Sequence, residues 1–297
     1  MVKINNETFS DLECVKLDNG TISTWLTKSV GPRIIGLSAF GSSNILAILP
    51  DSKADFEGVG TYFFRGGHRL WYGPEVPQTT YLPDNDPLEI QSLKNGLRVT
   101  QPVDKIGIQK SIIVELAESA PEIVINHFLT NTSNKTVELA PWAITQIRKG
   151  GVGIFPQQSG PTDPYGLLPN RHFVLWPYTK ISSPHIQWED EVFFINANLK
   201  EGALKIGFPN TAGWQAYAMK DGNLFVKRME YQKEAEYLDR GSSSETYCCP
   251  DFIELESLSP LQRLAPGSTS KHQEIWQLYQ KDKWPEEISN LFKLYKG

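Results

Sequence analysis

The chain has 297 residues, 40% of them hydrophobic and 21% charged, with a net charge of −5. That composition supports a large buried core, and an acidic balance without a basic stripe argues against a nucleic-acid partner. No run approaches the ~18 apolar residues of a membrane span, and the opening MVKINNETFSDLEC has no apolar signal-peptide region.

Cys14, Cys248 and Cys249 make no disulfide framework, so a reducing cytoplasm and no membrane partner are expected. The adjacent pair has no further ligand nearby in sequence and is read as the entry to a strand.

The elements read as β almost throughout. ECVKL and TISTWLT flank Asn19-Gly20, and PRIIGLSAF follows as a further strand. LEIQSLK and LRVTQPV flank Asn95-Gly96, while YAMK and NLFVKRM flank Asp221-Gly222. Asn-Gly and Asp-Gly tolerate the positive φ of tight hairpin turns. SIIVELAES, EIVINHFLTN, VELAPWAITQI and HIQWEDEVFFINA are rich in β-branched and aromatic residues, with partial period-two alternation. Only WPEEISNLFKLYKG reads as helix, with Pro285 near its start and Ile288, Leu291 and Phe292 at apolar spacing. The proline-rich FPQQSGPTDPYGLLPN reads as a long binding loop. Residues 1–297 are therefore expected to form one large antiparallel sandwich.

Three stretches are dense in chemistry. RGGHRLWYGPE places His68, Arg69, Trp71 and Glu75 behind two glycines. It is either a site or a turn whose polar groups satisfy neighbouring carbonyls. In DFIELESLSP, alternation puts Phe252, Glu254 and Glu256 on one face and Ile253 and Leu255 on the other. Two carboxylates on one face repel each other, which raises a pKa and suits acid–base work. In SKHQEIWQLY, His272, Glu274 and Trp276 share a face; a tryptophan beside a carboxylate suits a sugar ring and its hydroxyls. YLPDNDPLE brings Asp84, Asn85 and Asp86 together, which reads as an acidic turn. Metal-ligand spacings, phosphate loops and a nucleophile elbow are absent from the sequence, so neither metal nor cofactor is expected.

Together these stretches resemble the galactose mutarotase-like (aldose 1-epimerase-like) superfamily, and its uncharacterised bacterial members most of all. VGPRIIGLSAFGSSNILA is similar to the opening strands, INHFLTNTSNKTVELAPWAITQ to the central hairpin and FIELESLSPLQRLAPGSTSKHQEIWQL to the closing strands. The likeness runs over roughly residues 15 to 280. It implies an all-β antiparallel β-supersandwich, here with a short C-terminal helix, whose concave face binds a small-molecule carbohydrate. It also implies a glutamate that takes the anomeric hydroxyl proton and a histidine that protonates the ring oxygen. The glutamate is Glu254 or Glu256; spacing does not decide which. The histidine's position holds Trp142, whose indole cannot deliver a proton at neutral pH. His68 is the candidate replacement acid, its ordinary pKa near ~6.5 suiting the task. Arg69, Trp71, Glu75, Trp142, Gln146 and Trp276 are the candidate substrate-binding residues. The alternative is a non-catalytic sugar-binding protein.

Overall fold

The computed structural model describes residues 1–296. Each Asn-Gly or Asp-Gly pair sits in the turn of an antiparallel hairpin: Leu12–Asp18 with Ile22–Thr27, Glu89–Ser92 with Gly96–Thr100, and Trp214–Ala218 with Leu224–Met229. These hairpins and the other strands assemble into an eleven-stranded and a ten-stranded sheet, with a separate two-stranded ribbon. At the centre of the larger sheet the order is Arg33–Ala39, His68–Gly73, Val137–Arg148, Phe252–Leu258, Ser244–Cys248 and Leu204–Phe208. The smaller sheet is centred on Leu224–Met229, Thr269–Tyr279 and Glu122–Asn131.

Alternation decides what each strand buries. From the larger sheet Leu70, Tyr72, Ile253, Leu255 and Ile206 enter a core shared with Ile123, Ile125, Phe225 and Trp276 of the smaller one. The opposite face of the smaller sheet is covered by the helix Glu286–Phe292, which packs Ile288 and Phe292 among Phe194, Trp214 and Val226. That is the apolar face expected of it. A four-residue helix, Pro77–Thr80, and a tight left-handed turn at Leu238–Gly241 were not foreseen. Each is too short to show a 3.6-residue period. Among the described residues no helix is long and apolar enough to cross a membrane.

The opening of RGGHRLWYGPE is a central strand, His68–Gly73, and not a loop. Its two glycines let it in. Gly66 and Gly67 have φ of +85° and +73°, and added Cβ atoms would lie 2.1 Å from the Ala47 carbonyl oxygen and 2.2 Å from that of Ile34. Any side chain there would push the strand off its neighbours.

The ribbon Ile48–Phe56 and Gly60–Gly66 lies against the outer face of the larger sheet, Tyr62 and Phe64 packing on Trp71. The fully buried Arg33 ties it down by donating to the carbonyls of Phe64 and Gly66 and to the Tyr62 hydroxyl, and by pairing with Asp84. Asp84, from the expected acidic turn, thus serves as a counter-ion.

Candidate functional site

Strand register lays out the outer face of the larger sheet in rows. Trp71 lies opposite Trp142. Arg69, Ile144, Glu256 and Glu245 form a second row, and Gln146, Glu254, Tyr247 and Lys205 a third. Phe252, Glu254 and Glu256 do share one face, as alternation requires.

The polar groups meet on this face. Arg69 donates to Glu254 Oε1 at 3.1 Å, and the Gln146 amide donates to the same oxygen at 2.9 Å. The Arg69 guanidinium stacks 4.2 Å over the Trp71 ring, whose indole N–H donates to the Tyr62 hydroxyl. Trp142 Nε1 donates to Glu256 Oε2 at 2.7 Å. Lys205 donates to that oxygen at 3.3 Å, pairs with Glu245 at 2.7 Å, and lies between the Trp142 and Trp176 rings, 4.6 Å from each. Glu75 is exposed and accepts a hydrogen bond from Tyr81.

Burial is the main electrostatic fact here. Desolvation, then the nearby Glu256 charge, pushes the Glu254 carboxyl up to about 7 against the pull of Arg69 and Lys205. Desolvation likewise holds Glu245 well above the usual carboxylate range despite Lys205. Burial disfavours the Lys205 ammonium, but Glu256 and Glu245 more than offset it and hold Lys205 well above its ordinary value.

His68 and Trp276 are not part of this constellation. The expectation that His68, Arg69, Glu254 and Trp276 converge on one pocket is corrected by alternation itself. His68 and Arg69 are consecutive in a strand, so their side chains leave opposite faces. His68 points between the sheets, fully buried, with its ring edge-on to Trp276. Trp276 is fully buried as well and donates to Glu274.

These two residues belong to an inter-sheet network. The His127 Nδ1–H donates to the His272 carbonyl, so its Nε2 accepts from His68 Nε2–H at 2.8 Å. His68 Nδ1 then accepts from the Thr145 hydroxyl. Lys227 donates to Thr145 and to the carbonyls of Ala143 and Leu255, and pairs with Glu274 at 2.7 Å. Glu274 also accepts from Ser257, which in turn accepts from His272. Burial lowers all three histidines, His272 to about 3 and His68 well below its ordinary value. His68, His127 and Glu274 present ligand-type atoms within 4.8 Å of one another, but each is already engaged and Lys227 already neutralises the carboxylate.

Lys205, Glu245 and Tyr62 are site residues that sequence reasoning missed. The available signal was a lone charge inside an otherwise strand-like run, as in ALKIGF and SETYCC. A charge that a strand buries needs a partner on the same face.

No family model matches the sequence, and no curated protein matches it either. The structure, by contrast, matches solved structures along nearly its whole length. A galactose mutarotase-like protein from Lactobacillus casei aligns with 90% of this chain and 100% of its own, at 10% identity and a TM-score of 0.56. The chain has the galactose mutarotase-like fold. A TPR-domain containing protein from Parabacteroides distasonis aligns with 96% of the chain at 12% identity and a TM-score of 0.62; the chain spans 55% of that protein's length. The galactose mutarotase-like fold thus accounts for both sheets, while at these identities the site has to be read from its own residues.

Proposed function

We propose that the outer face of the larger sheet binds a small-molecule carbohydrate and that Glu254 is the proton-accepting group within it. The observation that carries this is the carboxyl itself. It is held by Arg69 and Gln146, flanked by Trp71 and Trp142, and brought to about 7 by burial and the Glu256 charge. A group titrating near neutral pH accepts and returns a proton with little penalty either way. Indole faces take the C–H side of a sugar ring, and carboxylate, amide and guanidinium take its hydroxyls. As an aldose 1-epimerase, the protein would use Glu254 to remove the anomeric hydroxyl proton as the C1–O5 bond breaks. The ring oxygen would take a proton in the same step, and Lys205 and a protonated Glu245 are the donors this face offers.

A second reading, sugar binding without catalysis, is favoured by one observation. His68, His127 and His272 all face the inter-sheet core; by the resemblance, Trp142 stands where the mutarotases carry their histidine.

Saturation-transfer NMR across hexoses and pentoses tests binding, and polarimetry on the same panel tests interconversion. Bound sugar with acceleration over buffer supports the enzyme. Bound sugar without acceleration supports the binding protein. A panel with no bound sugar removes both.

A further inference from the structure

We propose that this face selects a sugar carrying an ammonium group, an amino sugar, over its neutral parent and over sugar phosphates and uronic acids. The inference rests on the carbohydrate-binding reading and names the substrate class for it.

The first ground is a charge balance. On adjacent strands the face carries Glu245, Glu254 and Glu256 against Arg69 and Lys205, and all five side chains are at least nine-tenths buried. Ionising all five would leave one negative charge over, which water screens poorly at that depth; the raised Glu254 and Glu245 carboxyls hold protons instead. An incoming cation lets a carboxyl ionise beside it, whereas a further anion gains no such partner. Glu75 and Asp239 at the rim extend the same sign; Asp239 is near enough to Glu245 to help hold its carboxyl up.

The second ground is hydrogen bonding. Glu245 Oε1, Glu256 Oε1 and Gln146 Oε1 are buried acceptors with no donor in the protein. An ammonium brings donors and no acceptor, which suits open carboxylate oxygens such as those of Glu245 and Glu256, neighbours across two paired strands. Arg69 Nε and Nη1 are also open, and ring hydroxyls satisfy them without a further anion.

The third ground is the wall. The protein's own cations already stack on Trp71, Trp142 and Trp176, so these rings present faces that favour positive charge. A phosphate or uronate that reached the open Arg69 donors would sit beside the Glu254 carboxyl that Arg69 already holds, and one that reached Lys205 would compete with Glu245 and Glu256.

Calorimetric titration of wild-type protein at neutral pH tests this with glucosamine, galactosamine and mannosamine, their parent hexoses, their N-acetyl derivatives, hexose 6-phosphates and uronic acids. The expected result is at least one amino sugar bound about tenfold or more tighter than its parent. The N-acetyl form, which lacks the charge, should lose that gain. Glu254→Gln and, separately, Glu245→Gln should shrink the ratio of amino-sugar to parent-hexose affinity. A phosphate or uronate bound more tightly than the parent overturns the proposal, as does an amino sugar bound no better than its hexose. In those cases bound hexose leaves the carbohydrate reading standing. No binding by any member of the panel removes both.

Discussion

The two faces of one strand carry two buried polar clusters of different character. Inward from His68–Gly73 and Val137–Arg148 lie His68, Thr145, Lys227 and Glu274, and there both nitrogens of His68 and of His127, the ammonium and both carboxylate oxygens are engaged. Outward lie Arg69, Gln146, Glu254, Glu256, Glu245 and Lys205, and there five polar atoms remain open. The inner residues resemble chemistry more closely on paper, with three histidines, a serine and a glutamate. Yet a closed network in a packed core has nothing left to offer a ligand. Open atoms beside aromatic rings single out the outer face as the candidate site, and completeness of partnering, more than residue type, is what separates the two clusters.

The sharpest way to break that comparison is Lys227→Met. It removes the ammonium and leaves Glu274 charged in the core, which costs about 3–5 kcal/mol. Urea unfolding should show a loss of that size, or no folded protein. Sugar binding by whatever fraction remains folded should be unchanged. Next is Glu254→Gln. If the protein interconverts anomers, the rate should fall by about 10²–10⁴-fold, the usual worth of a general acid–base group, with binding largely kept. The thermal midpoint should hold or rise, because the replacement relieves a buried like-charge pair. A rate loss with a collapse in stability would move Glu254 into the structural class.

His68→Asn sharpens the contrast from the other side. It strands the His127 Nε2 acceptor and the Thr145 hydroxyl, so about 1–3 kcal/mol of stability should be lost. Sugar binding and any interconversion should be untouched in the folded protein. A loss of turnover without a loss of stability would return His68 to the reaction.

Much of this architecture is legible in the sequence because it rests on local rules. The hairpins at Asn19-Gly20, Asn95-Gly96 and Asp221-Gly222 follow from turn chemistry, and the grouping of Glu254 with Glu256 and of Glu274 with Trp276 follows from period two. Which group faces out does not follow. Charged residues occupy alternate positions on both faces, since Lys227 and Glu274 pair on the inward face of the smaller sheet, so polarity could not mark the solvent side. The adjacency of His68 and Arg69 did contain a warning: neighbours in a strand diverge, and weighing that stretch only as a site or a turn hid it. Lys205 and Glu245 could be assigned to the site only once register placed them in rows with Glu254 and Glu256.

The smallest expected effect is also the most discriminating, because the two clusters respond to acid in opposite directions. Burial lowers the inner histidines, His272 to about 3, below the ~6.5 they regain on unfolding. As pH falls through about 6.5 the unfolded chain takes up protons that the folded core refuses, so this contribution destabilises the protein. Glu254 works the other way. Its folded value of about 7 lies above its ordinary 4.5, so between these values the folded state holds the extra proton and acid stabilises. Three histidines outweigh one carboxyl, so wild-type stability should still fall with acid between about pH 6.5 and 4.5, but less steeply than the histidines alone would make it. Glu254→Gln removes the opposing contribution and leaves the histidines alone. Its thermal midpoint should match or exceed wild type at pH 7 and then fall more steeply with acid, the two curves converging near pH 4.5. Parallel curves over that window would mean that Glu254 is ionised like a surface carboxylate, and the outer face would lose the property that sets it apart from the inner one.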